Sequence, residues 1–196
     1  MPATVSLFHR LTRPARHVVT AALLAAGAIT AAQAGATIGG EPVMTDMENV
    51  QADIAILQDK RIPMLVFFHA TYCTYCRTVD EEFLDSMAEE PEYDGRLIIR
   101  RVEIDSPLPE IEWQGESWTP QEFARVQGVQ LVPTVIFFGP DGRQLGDELK
   151  GVTVPDFYPA YLDARLKTAE DCIESPDKAA CTEDIDQPRR DLTPDD

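Results

Sequence analysis

Residues 69–76 have the sequence His-Ala-Thr-Tyr-Cys-Thr-Tyr-Cys and follow an apolar run at residues 62–68 that only Pro63 interrupts. Two thiols three positions apart can form a disulfide only where the backbone turns, and a strand that runs into a helix provides such a turn. Cys73 would then lie at the helix N-terminus, where unpaired N–H groups and the helix dipole stabilise a thiolate. The pattern therefore indicates thiol–disulfide exchange, with half of a zinc site or an inert structural pair as the alternatives.

His69 is the only histidine after residue 34, since His9 and His17 precede that point. Zinc at Cys73 and Cys76 would need a second cysteine pair about a hundred residues away, or His69 with carboxylates, and there is no second Cys-x-x-Cys motif. A Cys–His hydrolase needs its histidine across a cleft, whereas His69 precedes Cys73 on the same predicted strand. The sequence thus predicts no metal and no cofactor. It leaves His69 either acting on the thiolate or pointing elsewhere.

The N-terminus has the composition of a secretory signal peptide. Arg10, Arg13 and Arg16 precede an apolar stretch at residues 18–32, and a small-residue Ala-Gln-Ala motif ends at Ala34. We expect cleavage after Ala34, with a second cleavage frame two residues later or an uncleaved anchor as alternatives. The apolar stretch is shorter than the roughly 20 residues that span a bilayer. The mature chain is therefore expected in the periplasm, without stable membrane insertion.

The charge balance is strongly acidic, with 34 Asp and Glu residues against 17 Lys and Arg residues and a net charge of −17. Residues 1–34 hold three basic residues and no acidic ones, so the remainder carries −20. Such a surface repels polyanions, which argues against nucleic acid and anionic lipid as ligands. The length suits one domain with appendages, which we expect to be a monomer.

The spacing of apolar residues, together with Gly and Pro at the ends of the apolar segments, predicts an alternation of helices and strands. Helices are predicted at residues 45–61, 75–90, 119–127 and 153–171, and strands at residues 64–68, 97–104, 131–138 and 143–150. Residues 105–117 have no period and are predicted to be a loop. The predicted regions are a signal peptide at 1–34, an N-terminal arm at 35–44, a domain at 45–171 and an acidic tail at 172–196 that cannot fold as a core.

Several finer expectations follow from local patterns. Thr45 and Thr153 are the expected N-caps of the first and last helices, and Thr119 with Glu122 forms a capping box. The side chains expected to face inward from the last helix are Phe157, Tyr161 and Leu166. Charges at positions 100, 101 and 103 predict that the second strand is less buried than the first.

The predicted order of elements gives an α/β sandwich and resembles the thioredoxin superfamily over residues 45–168. The matching motifs are the strand end at residues 67–70, the cysteine segment at 72–76, Val132-Pro133-Thr134, and the Gly-Pro-Asp-Gly turn at 139–142 with Gly151 beyond it. The resemblance implies a three-layer sandwich, in which a mixed central sheet has helices on both faces.

The resemblance also implies roles for individual residues. Cys73 would be the exposed nucleophile, Cys76 the buried resolving thiol, and Pro133 a cis proline packed against the disulfide. Val132 would offer backbone groups to an extended substrate peptide. The other candidates for substrate contact lie next to the cysteines in the chain and are Tyr72, Thr74 and Tyr75. The alternative for these three residues is that they are ordinary surface residues.

The chain departs from the thioredoxin pattern at three places. The buried aspartate of the family is replaced by Phe67, the Trp before the first cysteine by Tyr72, and the Gly-Pro between the cysteines by Thr74-Tyr75. The family's proton relay and redox potential therefore cannot be assumed here. The signal peptide, acidic tail and second cysteine pair resemble exported thioredoxin-like proteins, among them those of bacterial sulfur-oxidation systems.

All four cysteines follow residue 34, in a chain expected to reach an oxidising compartment. Three pairings are possible, and proximity favours Cys73 with Cys76 and Cys172 with Cys181, the second pair being structural. Three functions stay open: a reductase of substrate-protein disulfides that a membrane thiol donor keeps reduced, an oxidant or isomerase of the same fold, and a non-catalytic binding module with a structural disulfide.

Overall fold

A computed structural model describes residues 37–38, 41–176, 181 and 192 of the protein. The predicted signal peptide lies outside the described residues. The strands are β1 (Thr37–Ile38), β2 (Glu41–Pro42), β3 (Met44–Asp46), β4 (Met64–His69), β5 (Ile98–Glu103), β6 (Ile111–Trp113), β7 (Glu116–Trp118), β8 (Thr134–Phe138) and β9 (Leu149–Lys150). The α-helices are α1 (Val50–Lys60), α2 (Thr74–Thr78), α3 (Asp85–Glu89), α4 (Pro120–Val126) and α5 (Tyr158–Glu174). A π-helical segment, Val79–Leu84, joins α2 to α3, and 3-10 turns lie at Pro91–Tyr93 and Pro155–Phe157.

The central sheet has five strands in the order β3-β5-β4-β8-β9. β3 and β4 run parallel to β5, whereas β8 runs antiparallel to β4 and β9 antiparallel to β8. Side chains of β4 alternate between two cores. Phe68 joins the core that α1 and α4 cover, and Phe67 joins the core that α2 and α5 cover. The predicted three-layer sandwich with a mixed sheet is therefore confirmed.

The first helix begins later than predicted. Thr45 lies in β3, which pairs with β5, and α1 is capped instead by Asn49. The Asn49 side chain accepts a hydrogen bond from the N–H of Ala52 at 2.9 Å. Pairing with the open edge of β5 satisfies the backbone groups of β3, and this long-range contact overrides the local helix pattern. The N-terminal arm likewise includes a two-stranded hairpin of β1 and β2.

Residues 105–117, predicted to be a loop, contain most of a second hairpin. β6 and β7 pair antiparallel, and the two residues between them, Gln114 and Gly115, both have positive φ. Positive φ at both central residues gives the twist that suits a two-residue hairpin. The Trp113 ring packs edge-on against Phe123 of α4 with centroids 5.5 Å apart. This packing fixes the hairpin on the body.

Leu192, in the predicted acidic tail, lies in the core of the domain. This side chain is fully buried in the core beneath α1 and α4. Its N–H donates to the carbonyl of Gly142, and its carbonyl accepts from Trp113 Nε1, both at 2.8 Å. The tail is predicted to be unable to fold as a core of its own, and Leu192 instead adds one apolar side chain to the core of the domain.

The last helix also differs from its prediction. Thr153 does not cap it, since α5 begins at Tyr158 after the 3-10 turn and has no side-chain cap. Leu166 is buried as expected, but Phe157 is 60% and Tyr161 45% exposed. The buried face is instead formed by Tyr158, Leu162 and Leu166, which lie four positions apart, whereas Phe157 lies in the 3-10 turn before the helix.

β5 is less buried than β4, as predicted, because Arg101 and Glu103 are only half-buried. Arg100 is the exception at 4% exposed, and its guanidinium forms an ion pair with Asp53 of α1 at 2.7 Å. The segment at 143–150 pairs with β8 only through a bridge at Gln144 and through β9. The predicted capping box at Thr119 is confirmed. Among the residues that the structure describes, no helix has the length and hydropathy to cross a membrane.

Candidate functional site

The carboxyl end of β4 leads through residues 70–73 into α2, which carries the cysteine segment. Cys73 is the N-cap of α2, and its Sγ accepts a hydrogen bond from the N–H of Cys76 at 3.1 Å. The two sulfurs form a disulfide, with the Cα atoms 5.2 Å apart. Cys73 is half-buried, whereas Cys76 is 2% exposed. The predicted strand-to-helix turn is confirmed, and the predicted roles of attacking and resolving thiol fit this difference in exposure.

The proline loop lies beside this segment. The peptide bond between Val132 and Pro133 is cis, as predicted. β8 pairs with β4 so that Thr134 lies opposite Phe68, which places Pro133 at the same edge of the sheet as the cysteines. Val132 is half-buried and packs against the core that contains Cys76. The structure therefore brings the two predicted elements of the site to one edge.

The three residues predicted to contact substrate around the cysteines all face outward. Tyr72 is 74% and Tyr75 58% exposed, and Thr74 is also exposed. Leu131, which precedes the proline loop, is exposed as well. Large side chains that stay exposed in the folded protein leave apolar surface that a partner can cover. Their role in substrate contact stays a prediction.

His69 lies at the end of β4 and its ring stacks on Phe67 with centroids 5.0 Å apart. Burial lowers the pKa of His69, although the Glu103 carboxylate acts in the opposite direction. The lowered pKa disfavours the charged imidazole, so this shift does not help His69 to stabilise a thiolate by positive charge. It lines a pocket of about 270 Å³ that also contains the charged groups Asp46, Asp80, Arg101 and Glu103.

Asp80 is half-buried in the same pocket, in the π-helical segment one helical turn after Cys76. Burial raises the pKa of Asp80, and the Arg101 guanidinium, 3.7 Å away, opposes this. The sequence does not distinguish Asp80 from the acids that follow it at positions 81, 82 and 85. The available signal was Arg101, a basic residue in a predicted strand, which needs an acidic partner such as Asp80.

Asp105 is a further residue of the site that sequence reasoning missed. It follows β5, and its carboxylate accepts hydrogen bonds from the N–H and the hydroxyl of Thr71, two positions before Cys73. β4 and β5 are parallel neighbours, so the residues after their carboxyl ends meet at one edge. An Asp directly after a predicted parallel strand was the available signal.

The second cysteine pair is also oxidised. Cys172 in α5 and Cys181 form a disulfide with Cα atoms 5.4 Å apart, which confirms the predicted pairing. Cys172 is almost fully buried, and it lies near the C-terminal end of its helix, where no dipole favours a thiolate. The geometry suits a structural bridge that holds the beginning of the tail against α5.

We expect the double variant Cys172→Ala, Cys181→Ala to keep near-full turnover and to melt at a lower temperature. Closing a loop of about ten residues contributes at most roughly 2.5–3 kcal/mol in the chain-entropy model, which corresponds to a fall of about 5–10 °C. Calorimetry and an insulin-reduction assay on the same preparation measure both quantities. Collapse of turnover with unchanged fold would instead assign this pair a role in electron transfer.

A mixed sheet with a Cys-x-x-Cys disulfide at a helix N-terminus and a cis proline at the same sheet edge defines a protein of the thioredoxin class. Residues 49–166 match the sequence model of a family described as Thioredoxin-like domain. This match covers more than half of the chain, and the chain belongs to that family.

Individual relatives are more distant. The chain is 32% identical over 83 residues to the Thioredoxin-like protein CITRX, chloroplastic, of Arabidopsis thaliana, covering 42% of this chain and 37% of that protein. The match thus spans little more than a third of that relative's length.

Among solved structures, thioredoxin O2 from Arabidopsis thaliana in its oxidised state is 18% identical, with a TM-score of 0.43 over 64% of this chain and 92% of that chain. Malassezia sympodialis thioredoxin (Mala s 13) is 20% identical, with a TM-score of 0.45 over 65% and 90%.

Proposed function

We propose that the chain is an exported thiol–disulfide oxidoreductase that reduces disulfides of substrate proteins through Cys73 and Cys76. The observation that carries this proposal is the disulfide at the start of α2, in which the residue Cys73 is half-buried and the residue Cys76 is 2% exposed. We infer from this difference that a bulky partner reaches Cys73 and not Cys76. A purely structural bridge has no need of this asymmetry at a helix N-terminus.

The first step begins from the reduced protein. The Cys73 thiolate attacks one sulfur of the substrate disulfide, a bond forms between these two sulfurs, and the other substrate sulfur leaves as a thiolate. A free thiol has a pKa of about 8.5, so the reaction near neutral pH depends on groups that stabilise the thiolate. The N–H of Cys76, which points at the Cys73 sulfur, and the dipole of the helix both do so.

The second step releases the substrate. Cys76 loses its proton and attacks the Cys73 sulfur, the mixed disulfide breaks, and the second substrate sulfur leaves. Two electrons have then passed from the protein to the substrate, and the two protons from the cysteines balance the two new substrate thiols. The oxidised pair needs a dithiol donor to be reduced again. We assign this task to a membrane-bound thiol protein, as expected for a periplasmic reductase.

The surface around the disulfide suits an extended, disulfide-containing peptide. The rings of Tyr72 and Tyr75 are exposed beside the cysteines in the chain, and the cis Val132–Pro133 peptide lies at the same end of the sheet. Thr74 lies between the cysteines and completes this surface. Substrate backbone would pair with Val132 while the apolar rings cover the attacked disulfide from water.

Export is supported by two features. The basic, apolar and small-residue regions of residues 1–34 follow one another in the order of a signal peptide. A second disulfide far from the reactive pair is typical of proteins that work in an oxidising compartment. The mass of the mature protein purified from a bacterial periplasm tests cleavage after Ala34 directly.

The runner-up is an oxidant or isomerase of the same fold, favoured by Thr74-Tyr75 in place of the family's Gly-Pro. The redox potential separates the two functions, because the proposed reductase requires a value nearer the roughly −270 mV of thioredoxin than the roughly −120 mV of a strong oxidant. Equilibration with glutathione and dithiothreitol buffers, followed by thiol trapping, measures it. A value near −120 mV would reverse the proposed direction, and a pair that mild reductant cannot open would indicate a binding module.

A further inference from the structure

The connection between β4 and α2 has little apolar burial of its own. Ala70 is buried, but the next two residues, Thr71 and Tyr72, are exposed, and Cys73 is half-buried. Packing therefore fixes the beginning of the connection, and helix formation fixes its end. The exposed middle, which determines how the chain enters α2, depends on polar contacts.

One carboxylate provides those contacts. The N–H of Thr71 lies 3.0 Å from Asp105 Oδ1 and 3.1 Å from Oδ2, and the Thr71 hydroxyl donates to Oδ2. Asp105 is itself held to the sheet, because the N–H of the preceding Ile104 donates to the carbonyl of His69 at 2.8 Å. We refer to these hydrogen bonds between Thr71 and Asp105 as the Thr71–Asp105 clamp. They tie the connection to the end of β5.

The clamp is made with an ionised carboxylate. Burial acts to raise the pKa of Asp105, but the hydrogen bonds from Thr71 outweigh it and hold this pKa below its usual range. Hydrogen bonds to an ionised acceptor are shorter and stronger than neutral ones. Directly after Thr71, the chain turns so that the N–H of Cys73 donates to the carbonyl of Ala70 at 3.1 Å. The clamp thus fixes the residue inside the turn that ends at Cys73.

We propose that Asp105 is a positioning residue for Cys73, which acts through Thr71 to keep the sulfur in place at the N-cap of α2. The inference rests on the proposed function only in taking Cys73 as the attacking thiol. After reduction no bond to Cys76 holds the sulfur, so the backbone alone keeps it within reach of the helix N–H groups. A looser connection lets the thiolate leave them and makes it less available.

Asp105 also carries a negative charge near the site, and this effect has the opposite sign. Repulsion between a carboxylate and a thiolate disfavours the thiolate, so removal of the charge alone would make Cys73 more reactive. Removal of the clamp makes it less reactive. The direction of the change in Asp105→Ala therefore separates positioning from a through-space charge effect.

The test is the rate at which iodoacetamide alkylates Cys73 in the reduced full-length chain, followed by peptide mass spectrometry from pH 5 to pH 9. We expect Asp105→Ala to slow alkylation at pH 7 about tenfold, as a one-unit rise in the midpoint of the pH profile would. Thr71→Val loses the hydroxyl but keeps the backbone donor, so we expect half of that rise in the midpoint, which slows alkylation about threefold. Thr71→Ser keeps both donors and should react at the wild-type rate.

Asp141→Ala is the matched control. Its carboxylate also accepts a backbone N–H, from Arg143 at 3.1 Å, but in the turn after β8 at the opposite end of that strand. It should leave the alkylation profile unchanged. An unchanged or faster rate in Asp105→Ala would overturn the proposal, and if that variant fails to fold by circular dichroism, an unchanged rate in Thr71→Val would do so. Alkylation needs no protein substrate, so absence of insulin reduction by the wild type would count against the proposed function alone.

Discussion

Cys73→Ser is expected to abolish the reduction of insulin disulfides, whereas Cys76→Ser is expected to accumulate a covalent complex with its substrate. Cys73 is the sulfur within reach of a partner, and its loss removes the nucleophile, which costs a factor on the order of 10³ or more. Without Cys76 the mixed disulfide forms but has no internal thiol to resolve it. Insulin turbidity measures the first effect, and non-reducing electrophoresis with mass spectrometry measures the second.

Cys181→Ser is the control for this pair, because it removes a thiol of the second disulfide and leaves the reactive pair intact. It should show neither loss of turnover nor trapping through Cys73. If Cys73→Ser and Cys76→Ser trap substrate equally, the two thiols do not differ in access and the assignment of roles fails. Full activity in Cys73→Ser would place the chemistry elsewhere in the chain.

The parts of the fold that the sequence predicts correctly are those set by local patterns. The buried run of β4, the cysteine helix and the Thr119 capping box each carry their signal within a few residues. The cis peptide before Pro133 was instead implied by the resemblance to the thioredoxin superfamily. Resemblance to a known family then ordered these elements into a sheet, which no single pattern could do.

The errors and omissions arise where a distant contact decides the structure. Thr45 has a local helix pattern, but the edge of β5 takes this residue into a strand. Leu192 lies in a polar, acidic segment, and only the partners Trp113 and Gly142 make its burial favourable. The partner of Asp105 is 34 positions away along the chain. Periodicity and propensity contain no information about pairings of this range.

The ion pair between Arg100 and Asp53 is another such contact, and we expect its disruption to have a large effect on stability. Their side chains are only 5% and 8% exposed, and Arg100 Nε lies 2.7 Å from Asp53 Oδ1. Asp53→Ala leaves the guanidinium without its carboxylate between β5 and α1, which should lower the free energy of unfolding by about 3–5 kcal/mol. Urea denaturation followed by circular dichroism measures this.

The double variant Asp53→Leu, Arg100→Met distinguishes two effects on stability, the loss of the ion pair itself and the burial of an unpaired Arg100. Two apolar side chains of similar volume replace both charges. The free energy of unfolding of this variant should therefore be within about 1–2 kcal/mol of the wild-type value. Lys167→Ala is the exposed control, since its ion pair with Asp171 on α5 is open to water and should be worth less than about 1 kcal/mol. The contrary result is that Asp53→Ala lowers the free energy of unfolding no more than Lys167→Ala does. That result would mean that Arg100 reaches water when its partner is removed, and that β5 is less firmly packed beneath α1 than its burial indicates.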